Sequence, residues 1–326
     1  MFLSKTPYRI SLFGGGSDHR QWFSQNDGHV VSFTINRFCR IVGRHSDQKS
    51  STRFKLMLSE YQGCNQISEI KHPAVRAALS RFGENRGFEI SHFGDLPSRS
   101  GIGSSSTFCV GLINLLCSTN GNLLNPKELA NYAIHLEQVL LSENVGIQDQ
   151  VAASYGGINH IEMKHGGWKV NPIQLSFELK SELARRSVLV YTGIERSSSD
   201  ISAGLIQNIG SKFHYMDRLV EIAVKSTQLL ASSTNLDFIA DLLLESWSLK
   251  KKVNPLASIS KLDSLIDLGM CSGAKAAKVL GAGGGGFVLF WLDGNEGARQ
   301  DFIDKFGNER IVSFNVFESG SQVTAI

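Results

Sequence analysis

Eleven residues, Leu96-Pro97-Ser98-Arg99-Ser100-Gly101-Ile102-Gly103-Ser104-Ser105-Ser106, run without a break into Thr107 to Cys117, a stretch apolar enough for a buried helix. A helix that starts from a glycine–serine loop presents its free first-turn N–H groups, and the positive end of its dipole, to whatever lies in front of it. That suits an anion, phosphate above all. The glycines let the backbone come close, and the serine hydroxyls can donate to phosphate oxygens or coordinate Mg²⁺. A flexible Ser-rich loop ending in an N-cap reads the same way locally, so the segment alone leaves phosphate binding an even choice.

Two more segments are built from small residues. Lys278-Val279-Leu280-Gly281-Ala282-Gly283-Gly284-Gly285-Gly286-Phe287 contains the spacing GxGxxG, but a strand, Phe287 to Trp291, follows it where a dinucleotide site needs a helix. NAD binding is therefore rejected. Four glycines in a row cost about 0.5–1 kcal/mol each in unfolded-state entropy relative to Ala, which a close backbone approach would justify and a long hairpin would also use. Gly14-Gly15-Gly16-Ser17-Asp18 follows the first strand. Read locally, Ser17 or Asp18 caps a helix through Trp22; the alternative aims Asp18 at sugar hydroxyls. Neither GxxxxGK[ST] nor HRDxxxxN occurs, which excludes P-loop and protein-kinase sites.

The 326 residues exceed one typical core of roughly 100–150 residues, so two domains are expected. Lys and Arg number 33 against 30 Asp and Glu, a net +3 that gives no nucleic-acid footprint. Five scattered cysteines form no CxxC and read as reduced, buried thiols. No leader-like segment and no apolar run of bilayer length is visible, so the protein is expected in the cytoplasm, away from membranes.

Strands are expected at Tyr8 to Phe13, Val30 to Ile35, Val188 to Tyr191, Phe287 to Trp291 and Ile311 to Phe317. Asn125, Pro126 and Glu128 form a capping box, and Leu129, Ala133, Leu136 and Leu140 continue one apolar stripe. Further helices are expected over 202–231, 240–252 and 262–268, with a division near residue 185.

Three charges sit in apolar company. Glu137 stands at the edge of that stripe, where a Mg²⁺ or an arginine would compensate it; on the residues alone a salt bridge is the expected reading. Asp149 is either the N-cap of a short helix or a carboxylate aimed into a cleft. Arg9 lies inside an apolar strand and needs an anionic partner.

Taken in order, these segments resemble the motifs of the GHMP kinases over nearly the whole chain. Thr6 to Asp18 matches motif one, Leu96 to Ser106 motif two, and Lys278 to Phe287 motif three. Within that family the chain is most similar to bacterial kinases of D-glycero-D-manno-heptose 7-phosphate. The match rests on the GGG[ST]D form of motif one, Gln148-Asp149-Gln150, Tyr191-Thr192-Gly193-Ile194-Glu195-Arg196-Ser197 and Glu245-Ser246-Trp247-Ser248-Leu249-Lys250. It departs at Val145-Gly146-Ile147, where two glycines and an arginine are common, and at Ser106, where alanine is usual.

The resemblance implies an α+β fold of two domains, 1–184 (ribosomal protein S5 domain 2-like, ATP-binding) and 185–326 (ferredoxin-like), with the active site between them. It implies Asp149 as the catalytic acid-base residue, supported by Arg9, which should keep it ionised by lowering its pKa. ATP would be held by Pro97, Ser100, Gly101, Ile102, Gly103, Ser104, Ser105 and Ser106, and Mg²⁺ by Ser105 and Glu137. Substrate contacts would come from Gly15, Gly16, Ser17, Asp18, Gln148, Arg196, Gly283 and Gly284. Candidates for a phosphate on the sugar are Arg196, Lys250, Lys251, Lys252 and Arg20. The implied reaction is transfer from Mg-ATP to the anomeric hydroxyl of heptose 7-phosphate. The alternatives are a kinase for a neutral sugar (fucose, galactose or mannose), a non-catalytic ligand sensor, and a decarboxylase of the isoprenoid branch. Oligomeric state is not readable, and a homodimer stays open.

Overall fold

The structure, a computed structural model, describes all residues but 48–49, 84–85 and 196–197. Strand β1, Phe2–Phe13, is buried on both faces from Thr6 onward, which accounts for its near-continuous apolar run. It pairs antiparallel with β2, Gly28–His45, whose eighteen residues serve two neighbours. The first part of β2, Gly28 to Phe33, pairs with β6 (Ile158–Lys164), which continues into β7 (Gly167–Pro172). Its second part, Cys39 to His45, pairs with β5 (Phe88–Gly94), beside which lie β3 (Phe54–Met57) and β4 (Tyr61–Cys64). A second sheet has the antiparallel order β11-β8-β10-β9, formed by Ile311–Val312, Ser187–Tyr191, Phe287–Trp291 and Ala276–Val279. The last strand, β12 (Gln322–Ala325), returns to the first sheet and pairs with β1.

The helix Ser104–Thr119 packs on β1 and β2, and Val110, Leu112, Ile113 and Leu115 are fully buried. Each such side chain contributes about 1.5–3 kcal/mol relative to exposure. The helices Phe213–Ser232 and Phe238–Val253 pack together; the second touches both β9 and β1, so it ties the two sheets to each other. No helix among the described residues is long and apolar enough to cross a membrane.

Several expectations are corrected. Strands β1 and β2 are longer than predicted, because burial, not alternation, carries them. The helix predicted over 202–231 is two helices, Ser198–Asn208 and Phe213–Ser232, separated at a turn that contains Gly210. Only Ile311–Val312 of the predicted 311–317 strand is paired in the second sheet, and Val316 bridges to Ile35 of the first. The chain from 185 onward therefore does not stay with the second sheet. Of the five cysteines, Cys64 is half-buried and Cys271 exposed.

Candidate active site

The glycine–serine loop and the glycine hairpin are two halves of one construction. Between β9 and β10 the chain turns back over Leu280–Gly286, and the hairpin closes on the loop: Phe287 N–H donates to the Ser100 carbonyl at 2.9 Å. At Gly286, φ is +77° and a Cβ would sit 2.2 Å from the Ser100 oxygen. At Gly281, φ is +64° and a Cβ would meet the Gly101 Cα at 2.7 Å. Only glycine permits so close an approach, so the hairpin reading and the close-approach reading both hold. In the loop, φ is left-handed at Arg99, Gly101 and Gly103, every second residue. From such alternation anion-binding nests of N–H groups are built. Gly103 caps the helix Ser104–Thr119 without a side-chain hydrogen bond, which leaves the first-turn N–H groups open.

Arg9 reaches this loop through a bulge. The register of β1 on β2 shifts between Pro7 and Arg9, and a bulge re-aims the side chains beside it. Arg9, 2% exposed, donates through Nε and Nη2 to Asp149 Oδ1 at 2.8 and 2.7 Å, and through Nη1 to the Gly101 carbonyl at 2.7 Å. Asp149 lies in the first turn of the helix Gln148–Tyr155 and is not its cap. Its Oδ2 accepts no hydrogen bond among the described residues and faces Gly103. Burial raises the Asp149 pKa; Arg9 lowers it in part and Asp18 raises it again. The expectation that Arg9 leaves Asp149 with a lowered pKa is thus corrected, because desolvation is the larger effect.

Asp18 does not cap the helix through Trp22: that helix, Arg20–Phe23, follows His19 with no side-chain cap. Asp18, 1% exposed, instead accepts from Gly16 N–H at 2.9 Å and from Gln148 N–H at 3.3 Å. It thereby joins the turn after β1 to the segment that carries Asp149. Gly146 allows the contact, since a Cβ there would fall 1.8 Å from Asp18 Oδ2. The Gln148 Oε1 is buried with no partner.

Glu137 is fully buried because its helix changes character. The helix Pro126–His135 starts from the expected capping box and widens into a π-helical turn, Leu136–Leu140, which swings Glu137 inward. Such turns recur at functional sites. Leu140, expected in the apolar stripe, is 43% exposed as a result. Glu137 accepts from Ser106 Oγ at 3.1 Å and from Gln150 Nε2 at 2.5 Å, with no cation beside it, so the expected salt bridge is absent among the described residues. Burial pushes its pKa up to about 8. The hydroxyl that meets Glu137 is that of Ser106; Ser105 is exposed. No group of three or more His, Cys, Asp or Glu suited to a metal occurs among the described residues. Mg²⁺ needs fewer, since it takes one or two carboxylates and completes its shell with phosphate and water. One carboxylate with no cation beside it, bonded to a loop hydroxyl, fits that requirement.

Most of these groups line a solvent-connected cleft of about 170 Å³. It brings together Arg9, Gly15, Gly16, Asp18, Gln148 and Asp149 with Gly101, Gly103, Ser104, Ser105, Ser106 and Gly283. Other sequence candidates lie outside its lining. Ser17 is buried and donates to the Gly14 and His29 carbonyls. Ser100 donates to the Pro97 carbonyl, and Ile102 is fully buried. Gly284 N–H is held by the Ala257 carbonyl. Glu137 sits behind Ser106, and Arg196 lies outside the described residues. Sequence reasoning missed Ser11, His19 and Lys278, all in the lining. Lys278 is 3% exposed and donates to the Ser11 and Leu12 carbonyls at 3.2 and 2.6 Å, a clamp between the two sheets. A buried lysine within a strand was the available signal.

Residues 68–157, which contain the loop and Asp149, match the family described as GHMP kinases N terminal domain. Along 304 residues the chain is 29% identical to the D-glycero-alpha-D-manno-heptose 7-phosphate kinase of Campylobacter jejuni, covering 89% of each chain. The chain carries a GHMP kinase N-terminal domain and is similar to kinases of that family along most of its length. Its fold matches that of a D-glycero-D-manno-heptose 1-phosphate kinase from Bacteroides thetaiotaomicron with a TM-score of 0.82 at 22% identity, over 100% of this chain and 99% of that one. A bifunctional fucokinase/GDP-fucose pyrophosphorylase of Arabidopsis thaliana is 26% identical over 90% of this chain and 30% of its own length. The chain is a phosphotransferase that takes ATP as donor and a hydroxyl as acceptor.

Proposed function

We propose that this kinase transfers the γ-phosphate of Mg-ATP to the anomeric hydroxyl of D-glycero-D-manno-heptose 7-phosphate, giving the 1,7-bisphosphate. The observation that carries the reading is Asp149: its Oδ1 is held by Arg9, while its free Oδ2 faces Gly103 at the mouth of the phosphate-type loop. One carboxylate oxygen is fixed and the other is available for a proton. The loop N–H groups from Ser104 to Ser106 hold the triphosphate. Asp18 and the unpartnered Gln148 Oε1 orient the sugar hydroxyls. The acceptor oxygen forms the new O–P bond as the bond from the γ-phosphorus to the bridging oxygen breaks. ADP leaves with that electron pair, and the hydroxyl proton passes to Asp149. Arg9, also bonded to the Gly101 carbonyl, offsets charge where loop and acid meet. When bound, Mg²⁺ neutralises phosphate charge, with Ser105, Ser106 and Glu137 suited to hold it.

Support for a phosphorylated acceptor comes from Arg20. It makes no side-chain hydrogen bond or ion pair among the described residues. It lines a polar annex of about 220 Å³ that shares His19 and Val145 with the cleft. Turnover of heptose 7-phosphate, free heptose, fucose, galactose and mannose, followed as ADP release, tests the assignment. The highest kcat/KM is expected for the phosphorylated heptose, and Arg20→Ala should raise its KM without changing that for ATP. The fucokinase relative favours one second reading, a neutral-sugar kinase; a free sugar turned over better than heptose 7-phosphate would establish it.

A further inference from the structure

Three lysines end the helix Phe238–Val253, and they part company in space. The Lys252 ammonium lies 5.4 Å from the Tyr215 ring centre, and Lys251 stands 3.8 Å from the Asp263 carboxylate; both are exposed. Lys250 turns into the cleft and donates to the Gly281 carbonyl. That carbonyl belongs to the residue packed on Gly101, whose own carbonyl binds Arg9. Lys250, the hairpin, the loop and Arg9 therefore converge on one spot. Arg9, Asp18 and Lys278 are the charged groups close enough to act on Lys250, and among the described residues no carboxylate lies within ion-pair distance of it. An ammonium has three donors, and taking it out of water is costly unless they are used. Lys278 spends two on strand carbonyls, whereas Lys250, in the cleft lining and 6.0 Å from the Trp247 ring centre, spends one on a carbonyl.

We propose that Lys250 is a further catalytic residue, which hydrogen-bonds the transferring phosphoryl group from the side of the glycine hairpin and shares its charge with Arg9. This rests on the kinase reading of the cleft. The transferring group carries its charge on three equatorial oxygens in a loose transition state, and a donor placed there acts on turnover more than on ground-state binding. The bonds made and broken are those already given; Lys250 keeps its proton throughout.

The test is steady-state kinetics of Lys250→Met and Lys250→Arg with Mg-ATP and the best acceptor of the panel, alongside affinity for an ATP analogue and melting temperature. For Lys250→Met, kcat should fall about 10²–10³-fold with both KM values within a few-fold, and Lys250→Arg should recover a substantial part. Near-wild-type turnover would overturn the proposal. So would a loss confined to the KM of the phosphorylated acceptor, or a loss of analogue affinity as large as the loss in turnover. Should Lys250→Met fail to fold, the pH profile decides. Burial and Arg9 push the Lys250 pKa down to about 8, so kcat should decline above that pH in the wild type and hold in Lys250→Arg. An alkaline limb unmoved in Lys250→Arg would overturn the assignment. A wild type that phosphorylates nothing in the panel would instead defeat the underlying kinase reading.

Discussion

At the scale of single residues, burial sets the chemistry and neighbours only correct it. Asp149 has a guanidinium on one oxygen and still titrates above the ordinary aspartate range, because desolvation outweighs the ion pair. A raised pKa makes it a better proton acceptor, and it places the acid limb of kcat above the pH where an exposed aspartate would put it. Asp149→Ala should lower kcat by about 10²–10⁴-fold while ATP-analogue affinity stays near that of the wild type. Unchanged turnover would remove Asp149 from the reaction. Glu137 makes a separate prediction. Its folded pKa, about 8, lies above the ordinary value of 4.5. Between those pH values the unfolded state has released a proton that the folded state keeps, so without Mg²⁺ stability falls as pH rises through that window. Melting curves from pH 5 to 8 should fall more steeply for the wild type than for Glu137→Gln; parallel curves would contradict the burial argument. Arg9 was legible in the sequence as a cation out of place, and Asp149 as one of two options. Which oxygen of Asp149 is free was not legible, because the bulge that aims Arg9 depends on pairing with a strand some twenty-five residues away.

At the scale of elements, local signals were readable and long-range ones were not. The capping box at Asn125 forms as its residue types dictate. The π turn that follows is invisible to a 3.6-residue period, since one inserted residue moves Glu137 inward and Leu140 out. The glycine hairpin was legible as costly, but its partner was not, because the contact joins residues near 100 to residues near 286. That contact is testable. In Gly286→Ala a Cβ would sit 2.2 Å from the Ser100 carbonyl at a left-handed φ, so loop and hairpin must separate. Stability should drop by more than about 1 kcal/mol and ATP affinity should weaken, read by denaturant titration and analogue binding. Wild-type values for both would mean that the close approach is dispensable.

At the scale of the whole molecule, the cleft depends on two sheets held in register by a few cross-connections. These are the helix Phe238–Val253, the Lys278 clamp, and the return of β12 to β1, where Ser321 Oγ meets Thr6 Oγ1 at 2.7 Å. The change of pattern near residue 185 suggested a division there, but a strand of four residues that crosses back to β1 carries too little pattern to be seen. Removing residues 320–326 should lower the melting temperature and reduce turnover, although the cleft lining stays intact. The account as a whole requires that a nucleotide's terminal phosphates lie on the loop before Thr107. A structure of the complex with a non-hydrolysable ATP analogue tests this most directly. The γ-phosphate should bind the N–H groups of Ser104 to Ser106 with Asp149 Oδ2 facing it across the acceptor's place. An analogue bound elsewhere, or Asp149 turned away from the phosphate, would contradict the account.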